Sequence, residues 1–278
     1  MRLALLTNPG SGSGDAGEVA ELLREHDATF ESFDLDAVGD ALASGPERIV
    51  VAGGDGSLGA AAEAAANAGV PLAVVPVGTA NDFVRALELP DAVPEAVRLA
   101  VTGRRTRRLD LARIGDRPFL NAASAGLAPA AARRARGLKP LLGAAAYAVG
   151  AARAAIRTDP ITCRATCDGV LVFEGRAWQV TVACSGAFGG GSGVEADPHD
   201  GALDLVVVEA GSRIRLALRA WGLRAGSLES QRGVHSRRCG RVELDVPPQT
   251  AFNVDGELIE SGPAEFTVEP GAVELVVG

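Results

Sequence analysis

Lysine is almost missing from this sequence: Lys139 is the only one among 27 basic residues, and the others are arginine. A P-loop kinase, a protein kinase and a Schiff-base enzyme each need a lysine in a defined setting, and Gly137-Leu138-Lys139-Pro140 matches none of them. Phosphate chemistry would therefore have to use backbone N–H groups, arginine and metal. Aromatics make up 4% of the chain and the net charge is −8, with a pI near 5.0. Few stacking platforms and an acidic surface argue against nucleic acid as a partner. The four cysteines (Cys163, Cys167, Cys184, Cys239) show no CxxC spacing, and the three histidines form no HExxH. A zinc site and a disulfide scaffold are both unsupported, and the thiols are expected to be free bystanders, buried or solvated. Long apolar runs are missing too. Residues 141–156 fall short of a membrane span and include Arg153, and the opening run breaks at Asn8-Pro9 without the form of a leader. A soluble protein of a reducing, cytoplasmic compartment is the expectation.

What is present is ample apolar material, 47% of 278 residues, enough for one large or two modest domains. The first third alternates strand and helix signals. Strands are expected at 2–7, 28–34, 48–52 and 72–75, and helices at 17–25, 37–44, 58–68 and 81–87. That order predicts a mostly parallel sheet covered on both faces, a class that binds ligands beyond the carboxyl ends of its strands. After Arg108 the texture changes to short β-rich runs at 109–114, 161–167, 170–173, 178–184, 203–208, 241–246 and 251–254, with one helical insert at 129–157. An antiparallel sandwich or barrel follows. The tail, 264–277, reads as two strands split at Glu269-Pro270-Gly271. The domains are expected at 1–108 and 109–261, with the first completed by strands from 262–278.

Four constellations carry chemistry. Asn8-Pro9-Gly10-Ser11-Gly12-Ser13-Gly14 follows the first strand, and its glycines, with Asp34 and Asp36 downstream, also fit a dinucleotide fingerprint. Gly53-Gly54-Asp55-Gly56-Ser57 ends an apolar strand; glycines let backbone approach a phosphate, the next helix aims its N-terminus at the anion, and a carboxylate there suits an intervening cation. Pro76-Val77-Gly78-Thr79-Ala80-Asn81-Asp82-Phe83 ends the next strand, with Thr79 able to cap the helix and Asn81 and Asp82 facing the side of Asp55. Phe252-Asn253-Val254-Asp255-Gly256-Glu257 is by itself an ordinary hairpin turn. Each of the four also has a plain structural reading as a capped turn or polar loop.

Taken together, NPGSGSG, GGDGS, PVGTANDF and VDGE resemble the diacylglycerol-kinase catalytic family of soluble lipid kinases, which includes the sphingosine and ceramide kinases. Phe119-Leu120-Asn121 through Gly126, and Asp200-Gly201-Ala202-Leu203-Asp204, also fit, so the resemblance runs over nearly the whole chain. It implies an N-terminal α/β nucleotide domain like those of phosphofructokinase and NAD kinase, and a C-terminal antiparallel β-rich sandwich, with ATP and lipid meeting in the cleft. ATP contacts then fall on Asn8, Ser11, Gly12, Gly53, Gly54, Asp55, Gly56, Ser57, Leu58, Gly59, Gly78, Thr79, Asn81 and Asp82. Catalysis falls on Glu257 as general base and Asp55 as holder of Mg2+ with the nucleotide. A structural magnesium maps onto Asp200 and the carbonyls of Leu203 and Leu205. The acceptor would be diacylglycerol or a related lipid, and the resemblance leaves room for a homodimer. Arginine clusters at 104–108, 133–136 and 232–241 would bring the protein to the inner membrane face as a peripheral visitor, though solvated or ion-paired faces explain them as well.

The sequence departs from the family pattern in several places. Ser57 stands for a threonine, Gly59-Ala60 for an Asn-Glu pair, Asp15 for a basic residue, and Cys184-Ser185-Gly186 for an Asn-Gly element. Two rivals remain on these grounds: an NAD kinase, which shares GGDG and the strand-rich second half, and a nucleotide-binding regulator with weak turnover.

Overall fold

The computed structural model describes residues 1–8, 13–136, 158–188, 192–193, 196–212 and 232–278. The expected Ser11 and Gly12 contacts, and the 137–157 part of the helical insert, lie outside them. Two units emerge: Met1–Leu111 with Glu269–Gly278, and Ala112–Val268.

In the first unit, β1 (Arg2–Thr7), β2 (Thr29–Asp34), β3 (Arg48–Gly53) and β4 (Leu72–Pro76) are all parallel, in the order β2-β1-β3-β4. Every residue of β3 and β4 is buried, as expected of strands covered on both faces. Helices α1 (Ser13–Glu25), α2 (Val38–Ala43), α3 (Asp55–Ala68), α4 (Asp82–Ala86) and α5 (Val93–Thr102) connect or cover them. The alanines of α3 let it lie close on the sheet, and Gly69, at φ 62°, ends it in the left-handed conformation that glycine adopts without penalty. Helix α5, not anticipated from the sequence, starts at a proline-bearing first turn. Buried Arg48 donates to the carbonyl oxygens of Ala100 and Gly103 and so satisfies the end of α5. Burial, aided by Arg104, pushes its pKa down.

The second unit is antiparallel. β5 (Arg105–Ile114) leads into it, followed by β6 (Arg117–Phe119), β7 (Ala122–Gly126), α6 (Leu127–Arg136), β8 (Ile161–Cys167) and β9 (Val170–Ala183). Then come the short hairpin of β10 (Ala187–Phe188) and β11 (Ser192–Gly193), β12 (Leu203–Glu209), β13 (Val234–Cys239), β14 (Arg241–Asp245), β15 (Ala251–Val254), β16 (Glu257–Glu260) and β17 (Ala264–Val277). The order is β16-β15-β7-β9-β8-β14-β17, with β12 also on β9 and β13 on β12. Phe119, Phe252 and Phe266 meet edge-on or tilted in its core.

Two expectations are corrected. The tail is one strand, β17, because Gly271 takes φ 58° and donates its N–H to Asp110 at 2.8 Å, so the strand continues through the expected break. Ala264–Thr267 pairs antiparallel with β14, whereas Leu275 pairs parallel with Leu72 of β4. The cysteines are not all free: Cys167 and Cys239 form a disulfide, with Cα atoms 5.7 Å apart. These two residues end β8 and β13, strands that do not neighbour each other in the order, so their separation of 72 positions gave no sign of pairing. Cys163 and Cys184 are free and buried, and burial pushes the Cys163 thiol up to about 11.

Candidate active site

In the first unit the GGDGS segment is the junction of β3 and α3. Gly53 is the last strand residue, Gly54 precedes the helix in extended conformation, and Asp55 is the first helical residue. The Val77 N–H donates to Gly53 oxygen at 3.2 Å, which brings the next loop alongside. A Cβ on Gly78 would stand 2.5 Å from the Gly54 Cα and 2.6 Å from Asn81 Oδ1, so glycine is the only residue that allows this approach. A Cβ on Gly53 would come within 2.7 Å of the Ser57 side chain. Ser57 (3% exposed), Leu58 and Gly59 are buried, while Gly54, Asp55 and Gly56 are half-buried at the N-terminus of a 14-residue helix. That end of a helix draws anions, and glycines keep it open to a phosphate.

Asp55 has a role the sequence did not disclose. Its carboxylate accepts the N–H of Asp82 at 3.1 Å and of Phe83 at 3.0 Å, capping α4 from another element. Thr79, the expected cap, is exposed instead, and the residue preceding α4 is Asn81, at φ 49° with Nδ2 donating to Gly78 oxygen at 3.0 Å. Asp82 is buried and pairs with Arg85 at 2.6 Å, and Phe83 anchors the turn in the core. Thus Gly53, Gly54, Asp55, Gly56, Ser57, Gly78, Asn81 and Asp82 assemble at one strand-end cluster, with Thr79 at its surface. Asn8 directly follows β1, whose strand lies beside β3.

The second unit builds the VDGE turn between β15 and β16. Asp255 sits at φ 46° and is 8% exposed. Its carboxylate accepts three backbone N–H groups, from Leu120 (2.8 Å), Asn121 (2.9 Å) and Ala122 (3.0 Å), and its own N–H donates to Ala122 oxygen at 3.1 Å. Asn121 extends the junction. Its backbone oxygen accepts the N–H of Cys184 and Ser185, and its side-chain oxygen accepts the Ser185 hydroxyl at 2.7 Å. Sequence reasoning assigned no site role to Asp255, Asn121 or Ser185. An Asp-Gly turn and an isolated buried Asn carry no periodic signal, and only their common appearance in the resembling segments pointed to them. Glu257 opens β16, is 44% exposed, and is ion-paired with Arg117.

In the segment expected to hold a structural magnesium, Arg238 pairs with two carboxylates. Asp200 accepts the Ala202 N–H at 3.0 Å and pairs with Arg238 at 2.9 Å. Arg238 also donates to Asp204 at 3.1 Å. Burial pushes the Asp204 carboxyl up, while its bond and ion pair with Arg238 pull the other way. Leu205 lies between Val182 and Arg237 in the interior strand β12, where backbone carbonyls are committed to the ladder, and Leu203 pairs with Cys239. One guanidinium thus stands against two carboxylates in this segment. Among the described residues no three His, Cys, Asp or Glu side chains are grouped as metal ligands.

The fold has solved counterparts: a diacylglycerol kinase from Bacillus anthracis superimposes with a TM-score of 0.78 at 23% identity, covering 100% of this chain and 97% of that one. A parallel unit with paired glycine loops, followed by a β-rich unit, is thus a fold shared with that solved structure. Residues 2–114 match the diacylglycerol kinase catalytic domain, and residues 121–277 match the YegS C-terminal NAD kinase beta sandwich-like domain. A "probable lipid kinase YegS-like" protein of Pseudomonas fluorescens is 33% identical over 259 residues, 89% of this chain and 83% of the relative. A diacylglycerol kinase of Mycobacterium tuberculosis is 28% identical, covering 99% of this chain and 94% of its own length. The chain belongs to the diacylglycerol kinase family.

Proposed function

We propose that the protein is an ATP-dependent lipid kinase that transfers the γ-phosphoryl group to a lipid hydroxyl, with diacylglycerol or a related lipid as acceptor. The observation that carries this reading is the succession of a diacylglycerol kinase catalytic domain match, residues 2–114, and a YegS C-terminal domain match, residues 121–277, in a chain whose GGDGS and GTAND loops touch backbone to backbone. NAD as acceptor is the weaker reading, since the named relatives are lipid kinases.

In this reading the first unit binds the nucleotide. Gly53, Gly54, Gly56 and Gly78 admit the phosphates, the α3 N-terminus and the Ser57 hydroxyl face them, and Asn8, Ser11, Gly12 and Thr79 complete the contacts. Asp55 acts chiefly as a positioning residue, since its two oxygens hold the α4 N-terminus in place. Mg2+ arrives with ATP and offsets charge on the β- and γ-phosphates. Glu257 takes the proton of the attacking hydroxyl, a role that suits a half-exposed carboxylate fixed at the end of a rigid turn.

No described helix is long and apolar enough to cross a membrane. Peripheral docking from the cytoplasmic side would draw on the exposed arginines 104, 105, 107 and 108, which attract anionic headgroups at about 1 kcal/mol each. The decisive experiment incubates the protein with labelled ATP and a total lipid extract and identifies the labelled product. A phospholipid with a new phosphomonoester supports the reading. ATP binding with no labelled lipid would replace it with a nucleotide-binding regulator.

A further inference from the structure

The Glu257 carboxylate is placed by two devices. One is Asp255, whose three N–H bonds tie the VDGE turn to the backbone of Leu120, Asn121 and Ala122. The other is Arg117, which stands three residues before Leu120, just as Glu257 stands two after Asp255. The ion pair therefore spans two segments that Asp255 has already locked. Little further ordering is needed to form it, and Phe119, fully buried between the two contact points, holds the strand of Arg117 in the core.

As a contribution to stability this pair is minor. Arg117 and Glu257 are 42% and 44% exposed, and ion pairs at such sites contribute about 0–1 kcal/mol. Its consequences for a proton acceptor are larger. A general base must be ionised and aimed when the hydroxyl proton leaves. Asp255, two residues earlier, and Glu260, on the same strand, are the other carboxylates of this hairpin. β15, paired with β16, carries no ionisable residue. Helix α6, packed against β16, contains Arg133, Arg134 and Arg136. Arg117 is the residue seen in ion-pair contact with Glu257 among the described residues.

We propose that Arg117 is a positioning residue for catalysis, holding the Glu257 carboxylate oriented as the base. This inference rests on the general-base reading above, so the test carries both. Activity is measured with ATP and dioctanoylglycerol in mixed micelles for the wild type, E257Q, R117M and R117K. In R117M kcat falls about tenfold while the KM for ATP stays near wild type. The melting temperature stays near wild type. R117K, which keeps a cation beside the carboxylate, recovers part of that kcat. A wild-type kcat in R117M, or a kcat in R117K no better than that of R117M, overturns the role of Arg117. Full activity in E257Q instead overturns the general-base reading. An inactive E257Q alongside a wild-type kcat in R117M removes only Arg117.

Discussion

Each unit contains an Asp-Gly pair at a strand end, and the two aspartates do related work in opposite settings. Asp55 is half-buried, sits in helical backbone, and accepts two N–H groups at the start of α4. Asp255 is nearly sealed, sits in left-handed backbone, and accepts three. The glycines differ as well. Gly78, which serves the Asp55 loop, is required because there is no room for a side chain. At Gly256 an added Cβ would meet nothing within 4 Å, but the backbone there takes φ 89°. One loop is limited by space and the other by conformation. A carboxylate can thus join two loops either at a surface that stays open to a ligand or at a closed seam, and only the first leaves glycine backbone free for phosphate.

The comparison makes graded predictions. D255A should be the most damaging, leaving three N–H groups without their acceptor and costing about 3–5 kcal/mol in urea unfolding, while D255N, with one acceptor oxygen left, should cost less. If D255A and D55A prove equal, the distinction between seam and open loop is lost. Next, G78A should cost about 2–3 kcal/mol through overpacking against Gly54 and should also weaken ATP binding in calorimetry. D55A should follow at about 1–2 kcal/mol, the loss of a cap, accompanied by weaker ATP binding because the GTAND loop is released. G256A should be mildest, about 1 kcal/mol from the left-handed backbone alone, with ATP affinity unchanged.

Much of the first unit could be read from its sequence because β1, β3 and β4 are short apolar runs, and burial on both faces of β3 and β4 leaves little choice of element. The GGDGS and GTAND loops were legible for the same reason: they stand where those runs stop. The β-rich character of the second unit was visible too, yet some of its strands were not. β13, with the sequence VHSRRC, read as a basic cluster because its paired backbone carries exposed arginines, and β6 and β16 are three and four residues long. The arginines at 105–108 likewise form the start of β5. Contacts set by tertiary structure were hidden altogether. Nothing local marks Cys167 as the partner of Cys239, Asp55 as the cap of α4, or Arg117 as the partner of Glu257.

Strand β17 has a consequence for biosynthesis. Residues 269–278 belong with 1–111, so the first unit, although most of it is translated first, lacks one strand of its sheet until all of the second unit has left the ribosome. Until then the Leu72 edge of β4 is an uncapped strand margin, open to pairing with another nascent chain.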